Sequence, residues 1–446
     1  MDILLVAPRH YASANLPYRP LRRAVSPPLG LLTVAGLTPP GHNLRVLDEG
    51  VEPIPDEIEA DLVGITATTC AAPRAYELAD RLRSRGTPVV LGGIHASALP
   101  AEAAAHADAV VIGEAEGQWP QVVADAQAGE LRKYYRQTGW PDLAQAPPPR
   151  YDLVNPRRYV VPSTAQTTRG CPFDCSYCSV TTFFGRTYRT RRIQDVVADL
   201  ERMPRGPMMF VDDNIMAKPA YARELFAALR GRGLRWFSQA SLTILKTPHL
   251  ILEAARAGCR VLFVGLETLS QRNLEAVGKR INVTSSYHEL VSRLHDNGIA
   301  LIASFMFGLD ADDEAVFERT VEFARHHKID ACMFSILTPL PGTRLYTKLE
   351  DEGRIVDRDW RHYDGAHVTF RPALLSPERL QEGYLQAYRD FFSVGSILGR
   401  ALQPVGWRPV YWLINLIWRH YLMNWLDGVQ SPGRGTSRGG HRGRRS

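Results

Sequence analysis

TRGCPFDCSYCS, residues 168–179, sets Cys171, Cys175 and Cys178 in a Cys-x-x-x-Cys-x-x-Cys arrangement on one short loop. Thiolates brought together in this way are ligands for a soft metal centre. A four-iron, four-sulfur cube takes four ligands, and ferredoxin sequences supply four cysteines. This loop supplies three, which leaves one iron open to a ligand from outside the protein and points to chemistry rather than electron storage. Zinc is the rival reading, but a structural zinc site closes with four Cys or His ligands at short paired spacings, and the next cysteine is Cys259. The plain alternative, three buried thiols that only happen to cluster, is set against the scarcity of cysteine elsewhere, six in 446 residues.

C-terminal to the loop, apolar runs alternate with helix-like stretches: MMFVDDN (208–214), RWFSQAS (235–241), CRVLFVGLET (259–268), IALIASFMFGLD (299–310) and DACMFSILTPLPGT (330–343). This is the pattern of a β/α barrel, in which strand ends carry the site. Polar groups recur at those ends, namely Asp212, Asp213, Gln239, Glu267 and Ser304. Each alone reads equally well as a cap or turn residue; recurrence on successive strands favours a shared mouth that also holds the cysteines.

N-terminal to the loop, ILLVA (3–7), LRVLD (44–48), DLVGIT (61–66), PVVLGG (88–93) and DAVVIG (108–113) are short continuous apolar runs. Runs of this kind suit parallel strands buried on both faces, so the first domain reads as a doubly wound, flavodoxin-like α/β fold with its ligand crevice at the carboxyl ends of the strands. Glycines follow two of those strands, at Gly92, Gly93 and Gly113, where backbone can approach a bulky ligand closely. The stretch WPDLAQAPPPRYDLVNPRRY (140–159) is too proline-rich for regular elements. The expected division is 1–130 first domain, 131–160 linker, 161–345 partial β/α barrel, 346–430 helical region and 431–446 disordered tail.

The cysteine spacing, with the aromatic Tyr177 just before the last cysteine, resembles the radical S-adenosylmethionine (SAM) superfamily. The resemblance implies a 4Fe-4S cluster on Cys171, Cys175 and Cys178, with SAM on the open iron through its amino and carboxylate groups. It also implies an external electron donor, such as flavodoxin or ferredoxin, whose electron splits the sulfonium to a 5′-deoxyadenosyl radical. FVDDN, VGLET and TPLPGT resemble strand-end motifs of the cobalamin-associated branch of that family. On this likeness Tyr177, Asp212, Asp213, Gly265 and Glu267 are candidate SAM contacts, and Gln239 and Ser304 join them on looser matches. PPLGLLTVAGLTPPGHNLRVLD (27–48), LGGIHAS (91–97) and GEAEG (113–117) resemble the cobalamin-binding domain of the same branch, which makes Gly92, Gly93, His95, Gly113 and Glu114 candidate cobalamin contacts. Two departures stand out. Ala115 replaces a glycine of the family's Gly-Glu-Gly-Glu motif, and the Asp-x-His-x-x-Gly motif that gives cobalt a lower histidine elsewhere is missing, His10 being a lone histidine after the first strand.

The function implied is a cobalamin-dependent radical SAM enzyme methylating an unactivated carbon of a small-molecule or lipid-like metabolite. One alternative keeps the cofactors but cyclises or rearranges rings without methyl transfer. Another is a non-catalytic iron–sulfur and cobalamin binding protein. Composition agrees with an enzyme of two or three domains, with 45% apolar and 22% charged residues. The net charge of +6 is concentrated in the last sixteen residues, SPGRGTSRGGHRGRRS, which hold five arginines and no acid; it gives no reason to expect nucleic-acid binding. Few cysteines outside the loop, and a first strand rather than a signal peptide at MDILLVAP, indicate a cytoplasmic protein. Near the end, 407–426 is rich in Trp, Tyr, Leu and Ile but is interrupted by Arg419 and His420. That leaves two readings open, a helix packed over the barrel and a helix lying in a membrane interface.

Overall fold

The computed structural model describes residues 1–9, 24–401 and 411–420; His10, the basic tail and the ends of the aromatic segment lie outside them. The first sheet is built from β1 (Asp2–Ala7), β2 (Asn43–Asp48), β3 (Leu62–Thr66), β4 (Val89–Gly92), β5 (Ala109–Ile112) and β6 (Tyr134–Arg136). All are parallel, in the order β2-β1-β3-β4-β5-β6. The apolar runs become strands because both faces are covered. Leu4, Val6, Val63 and Ile65 pack with helix Ala72–Arg83, while Ile3, Leu5 and Leu62 pack with helices Leu29–Leu37 and Trp119–Ala128. The order reverses between β1 and β3, which opens a crevice at their carboxyl ends.

The expected linker begins too early. β6, within the span expected as linker, belongs to the first domain, since Tyr135 is buried in its core and its hydroxyl donates to Asp125 of helix Trp119–Ala128 at 2.7 Å. The proline-rich part, beyond Pro141, forms only short 3-10 turns laid on that domain.

The second sheet contains β7 (Ser163–Ala165), β10 (Pro207–Phe210), β11 (Arg235–Ala240), β12 (Cys259–Glu267), β13 (Ala300–Phe307) and β14 (Ala331–Ile336). These too are parallel, in the order β14-β13-β12-β11-β10-β7, so the barrel is partial and open between its first and last strands. A separate antiparallel ribbon, β8 (Thr168–Arg169) with β9 (Arg189–Thr190), brackets the cysteine loop. Alternation along the strands sorts the side chains. Trp236, Ser238 and Ala240 are buried beneath the helices, whereas Phe237 and Gln239 stay partly open on the lumen face.

The C-terminal region is helical at Pro377–Phe391, Val394–Ala401 and 411–420. Before these lies an irregular stretch, 352–376, that sequence alone did not separate. It crosses to the first domain, where Trp360 Nε1 donates to both Glu102 oxygens at 3.0 and 3.2 Å. Segment 411–420 lies under the barrel's base. Ile414 packs on Val261 and Ala300, and Asn415 is fully buried with its amide donating to the Asp330 carbonyl at 2.9 Å.

Candidate active site

Ribbon β8–β9 delivers the cysteine loop to the barrel mouth. Gly170 starts the loop at φ 84°, and a Cβ there would strike the Thr187 carbonyl. The loop is then tied down from two sides. Ser176 N donates to Val277 O at 2.9 Å, Leu345 N to Ser176 O at 3.0 Å, and Arg344 Nη1 to Asp174 Oδ1 at 2.7 Å. Burial pushes the Cys171 thiol up to about 11, with the charges of Cys178, Asp213 and Cys175 adding to the shift. The three thiols therefore sit close enough to repel as thiolates, which suits ligands whose charge a metal centre neutralises. Among the described residues no three Cys, His, Asp or Glu side chains gather as closely as ligands of one metal ion.

Two carboxylates and a lysine stand beside the loop. Glu267 ends β12 at φ 69°, where the register to β13 shifts between Gly265 and Glu267. The strained backbone is supported by Asn282, whose amide donates to Gly265 O at 2.9 Å and Leu266 O at 3.1 Å. Glu267 pairs with Lys279. Burial works against the Lys279 ammonium, but Glu267 and the neighbouring Cys175 hold its pKa above the ordinary lysine value. A Cβ on Gly265 would displace the ends of this ion pair. Lys279 was not found from sequence; the one available signal was a lone lysine after Gly278, itself at φ 75° against the Asp174 carbonyl. Asp213 is the other carboxylate. It is half-buried with a buried Oδ2 that lacks a hydrogen-bond partner, and desolvation, followed by the Asp212 charge, raises it to about 6. An orphaned carboxylate oxygen and the Glu267 acceptor beside three thiols fit a cationic sulfonium ligand carrying an amino group. Tyr177 packs on the barrel core next to Glu267. Gln239 and Ser304 face the lumen further in, on β11 and β13.

Asp212 corrects the sequence reading. It is fully buried, and its carboxylate accepts from the Thr167 amide at 3.1 Å, the Thr167 hydroxyl at 2.7 Å and the Thr168 amide and hydroxyl at 2.5 Å each. Full burial keeps a ligand from this carboxylate, so Asp212 holds the segment leading to the cysteines.

At the switch point of the first sheet, a cavity of about 330 Å³ runs from Leu5, Gly64 and Ile65 to Gln166, Arg169, Phe183 and Val211 of the barrel domain. Gly92, Gly93 and Gly113 line it. Gly93, at φ 93°, and Gly113, at φ 91°, have no room for a Cβ, which would meet Thr66 Oγ1 and Gln137 Oε1 respectively. A side chain on Gly64 would meet Leu5 at 2.8 Å. This glycine-floored slot between the domains is sized for one arm of a large cofactor and fits cobalamin. No histidine lines it among the described residues. Ala115 also lines it without needing a positive φ, and its carbonyl accepts from Gln118 N and Trp119 N, so its methyl group does not strain the backbone there.

Glu114 and His95 are used differently from expectation. The Glu114 carboxylate is almost fully buried and accepts from Arg169 Nη1 at 2.6 Å and from Arg189 Nη1 and Nη2 at 3.1 and 2.6 Å. Arg169 also pairs with Glu116. Thus Glu114 borders the slot but clasps the ribbon that carries the cluster loop. His95 lies outside the slot altogether. Its ring is buried against Trp360, with centroids 5.4 Å apart, and Nε2 is 3.3 Å from Glu102. The short helix after β4 begins at Ile94 and carries the His95 ring to Glu102 and Trp360.

A three-thiolate loop at the mouth of a partial barrel, facing a glycine-floored slot of a doubly wound domain, defines a radical SAM enzyme with a cobalamin-binding domain. Comparison agrees. The Radical SAM superfamily model matches residues 165–324, and the B12 binding domain model matches residues 22–123. Bacteriochlorophyllide d C-12(1)-methyltransferase of Chlorobaculum tepidum is 31% identical over 411 residues, covering 89% of each chain. The C-8(2)-methyltransferase of the same organism is 31% identical over 393 residues, covering 84% of this chain and 87% of its own. The solved structure of the cobalamin-dependent SAM radical enzyme OxsB has the same fold, with a TM-score of 0.69 at 13% identity over 96% of this chain and 72% of that one. The chain belongs to the cobalamin-dependent radical SAM methyltransferases, whose cofactors are a 4Fe-4S cluster, SAM and cobalamin.

Proposed function

We propose that the chain methylates an unactivated carbon of an apolar, lipid-like or ring-bearing small molecule. The observation that carries this reading is the lumen of the partial barrel. Its inward positions on β10 to β14 are Met209, Phe237, Phe263, Ile302 and Met333, with Gln239, Ser304 and Ser335 as the polar ones. Burying an apolar substrate there gains roughly 25 cal/mol per Å². Apart from Glu267, held by Lys279 at the mouth end of β12, the positions named carry no acid or base, so the lumen suits hydrogen-atom abstraction from an inert C–H bond better than proton transfer. When bound, the cluster with SAM supplies the abstracting radical, and cobalamin carries the methyl group. The protein's share is to bind, orient and exclude water. That similar proteins are methyltransferases of bacteriochlorophyllide d supports this reading. Arg186 and Arg344, exposed around Asp174 on the outer side of the cysteine loop, offer a cationic rim suited to an acidic electron carrier.

The test is anaerobic turnover with reconstituted cluster, cobalamin and SAM bearing a deuterated methyl group, against apolar ring-bearing candidates. A product heavier by one labelled methyl, together with 5′-deoxyadenosine and S-adenosylhomocysteine, is expected. Deoxyadenosine with a ring-altered, unmethylated product would overturn the proposal in favour of cyclisation or rearrangement.

A further inference from the structure

The helical segment 411–420 has two unlike faces. Tyr411, Ile414, Asn415 and Trp418 turn to the protein, while Trp412, Leu413, Leu416 and Ile417, between 38% and 55% exposed, share the opposite arc. The inner face is fully used. Tyr411 Oη donates to Ile397 O at 2.5 Å, Asn415 accepts from buried Arg400 at 3.0 Å, and Trp418 packs on Phe392. Packing on the barrel therefore does not account for the outer residues, and four adjacent large apolar side chains in water are unusual for a surface helix.

We infer that this outer face docks the enzyme on an anionic membrane surface. The sequence beyond the helix argues for the occupant: after Asp427 it contains five arginines and no acid. Stable interfacial binding takes two signals, an apolar face that enters the headgroup boundary and cations that meet anionic lipid, and both are present here. A second copy of the chain is a poorer occupant, because pairing this face with itself would bring two arginine-rich ends together. No described helix is long and apolar enough to cross a membrane, so the contact is with the surface. It leaves the mouth free, since the segment covers the base of the barrel at the start of β12 and β13, opposite the cysteine loop. The inference does not depend on which substrate is methylated.

Flotation of the full-length holoprotein with vesicles tests it. Vesicles of phosphatidylcholine containing phosphatidylglycerol should carry the protein, and those of phosphatidylcholine alone should carry far less. Raised salt should weaken binding. L413E/L416E, and separately Arg434, Arg438, Arg442, Arg444 and Arg445 all changed to Ser, should each lower the partition coefficient by about tenfold or more. The melting temperature of L413E/L416E should hold, because Leu413 and Leu416 do not belong to the inner face. If L413E/L416E does not fold, Leu416→Gln must still lower partition. Wild-type protein that stays with the vesicle-free fraction overturns the inference. So do variants that partition like wild type, or a vesicle-free dimer that L413E/L416E converts to monomer.

Discussion

With three protein ligands for a four-iron cluster, there is no spare thiolate to replace a lost one, so Cys175→Ala should lose both the iron–sulfur absorbance and 5′-deoxyadenosine formation after anaerobic reconstitution. Cys259 and Cys332 are fully buried within β12 and β14; changing either to Ala should keep the cluster and lower stability by about 1–2 kcal/mol through the lost packing. Intact absorbance in Cys175→Ala would sink the cluster assignment. Asp213 makes a prediction about pH. Its folded value of about 6 lies above the ordinary 3.8, so the folded state holds this proton more tightly than the unfolded one. Its favourable contribution is complete below about pH 4 and lost as pH rises through about 6, on the order of 2–3 kcal/mol. Urea midpoints of the cluster-free protein should fall over that range relative to Asp213→Asn; parallel curves for the two proteins would refute the assignment. The adjacent aspartates also show where sequence reading stops. Both follow the same apolar run, and only the strand's alternation and the two threonine pairs of hydrogen bonds separate Asp212, which is fully buried and held by Thr167 and Thr168, from Asp213, which keeps an oxygen without a partner.

Among the elements, every strand with a run of apolar residues was legible, β1 to β5 and β10 to β14, because burial on both faces leaves a continuous signature. The short ones were not. β6 to β9 have two or three residues each, written in Tyr, Ser, Thr and Arg with one Ala, and pairing rather than composition makes them strands. The cost of missing β8 and β9 was the clasp, whose partners Glu114 and Arg189 lie 75 residues apart. Replacing a buried charge by its neutral isostere leaves the opposing charge unpaired in a dry site. Glu114→Gln should therefore destabilise the protein by roughly 3 kcal/mol and weaken cobalamin binding, because the ribbon loses its tie to the slot. Adding Arg189→Met should recover part of the stability by removing the stranded guanidinium. Denaturant midpoints and cobalamin titrations decide it; an unaltered midpoint in Glu114→Gln would show that the ion pair only decorates the interface.

For the whole molecule, the two domains meet through more than the clasp. Tyr159, at the end of the proline-rich connection, donates to Asp48 Oδ2 at 3.1 Å, and Trp360 reaches Glu102 across 258 residues of chain. The Trp360 ring is also edge-on to His95 and Tyr363, at 5.4 and 4.8 Å between centroids. The contact combines a charge-assisted hydrogen bond with buried aromatic area, the two features that make a domain interface cooperative. The holoprotein should accordingly unfold in a single calorimetric transition. Trp360→Phe retains most of the ring contact and leaves Glu102 with His95 as a partner, so it should lower the midpoint while keeping one transition. Trp360→Ala removes the donor and the ring together. It should split the endotherm in two, and added cobalamin should then raise chiefly the transition that belongs to the first domain, since most of the slot is lined from that side. A single, unshifted transition in Trp360→Ala would mean that the ribbon clasp and the connecting segment hold the domains without the loop.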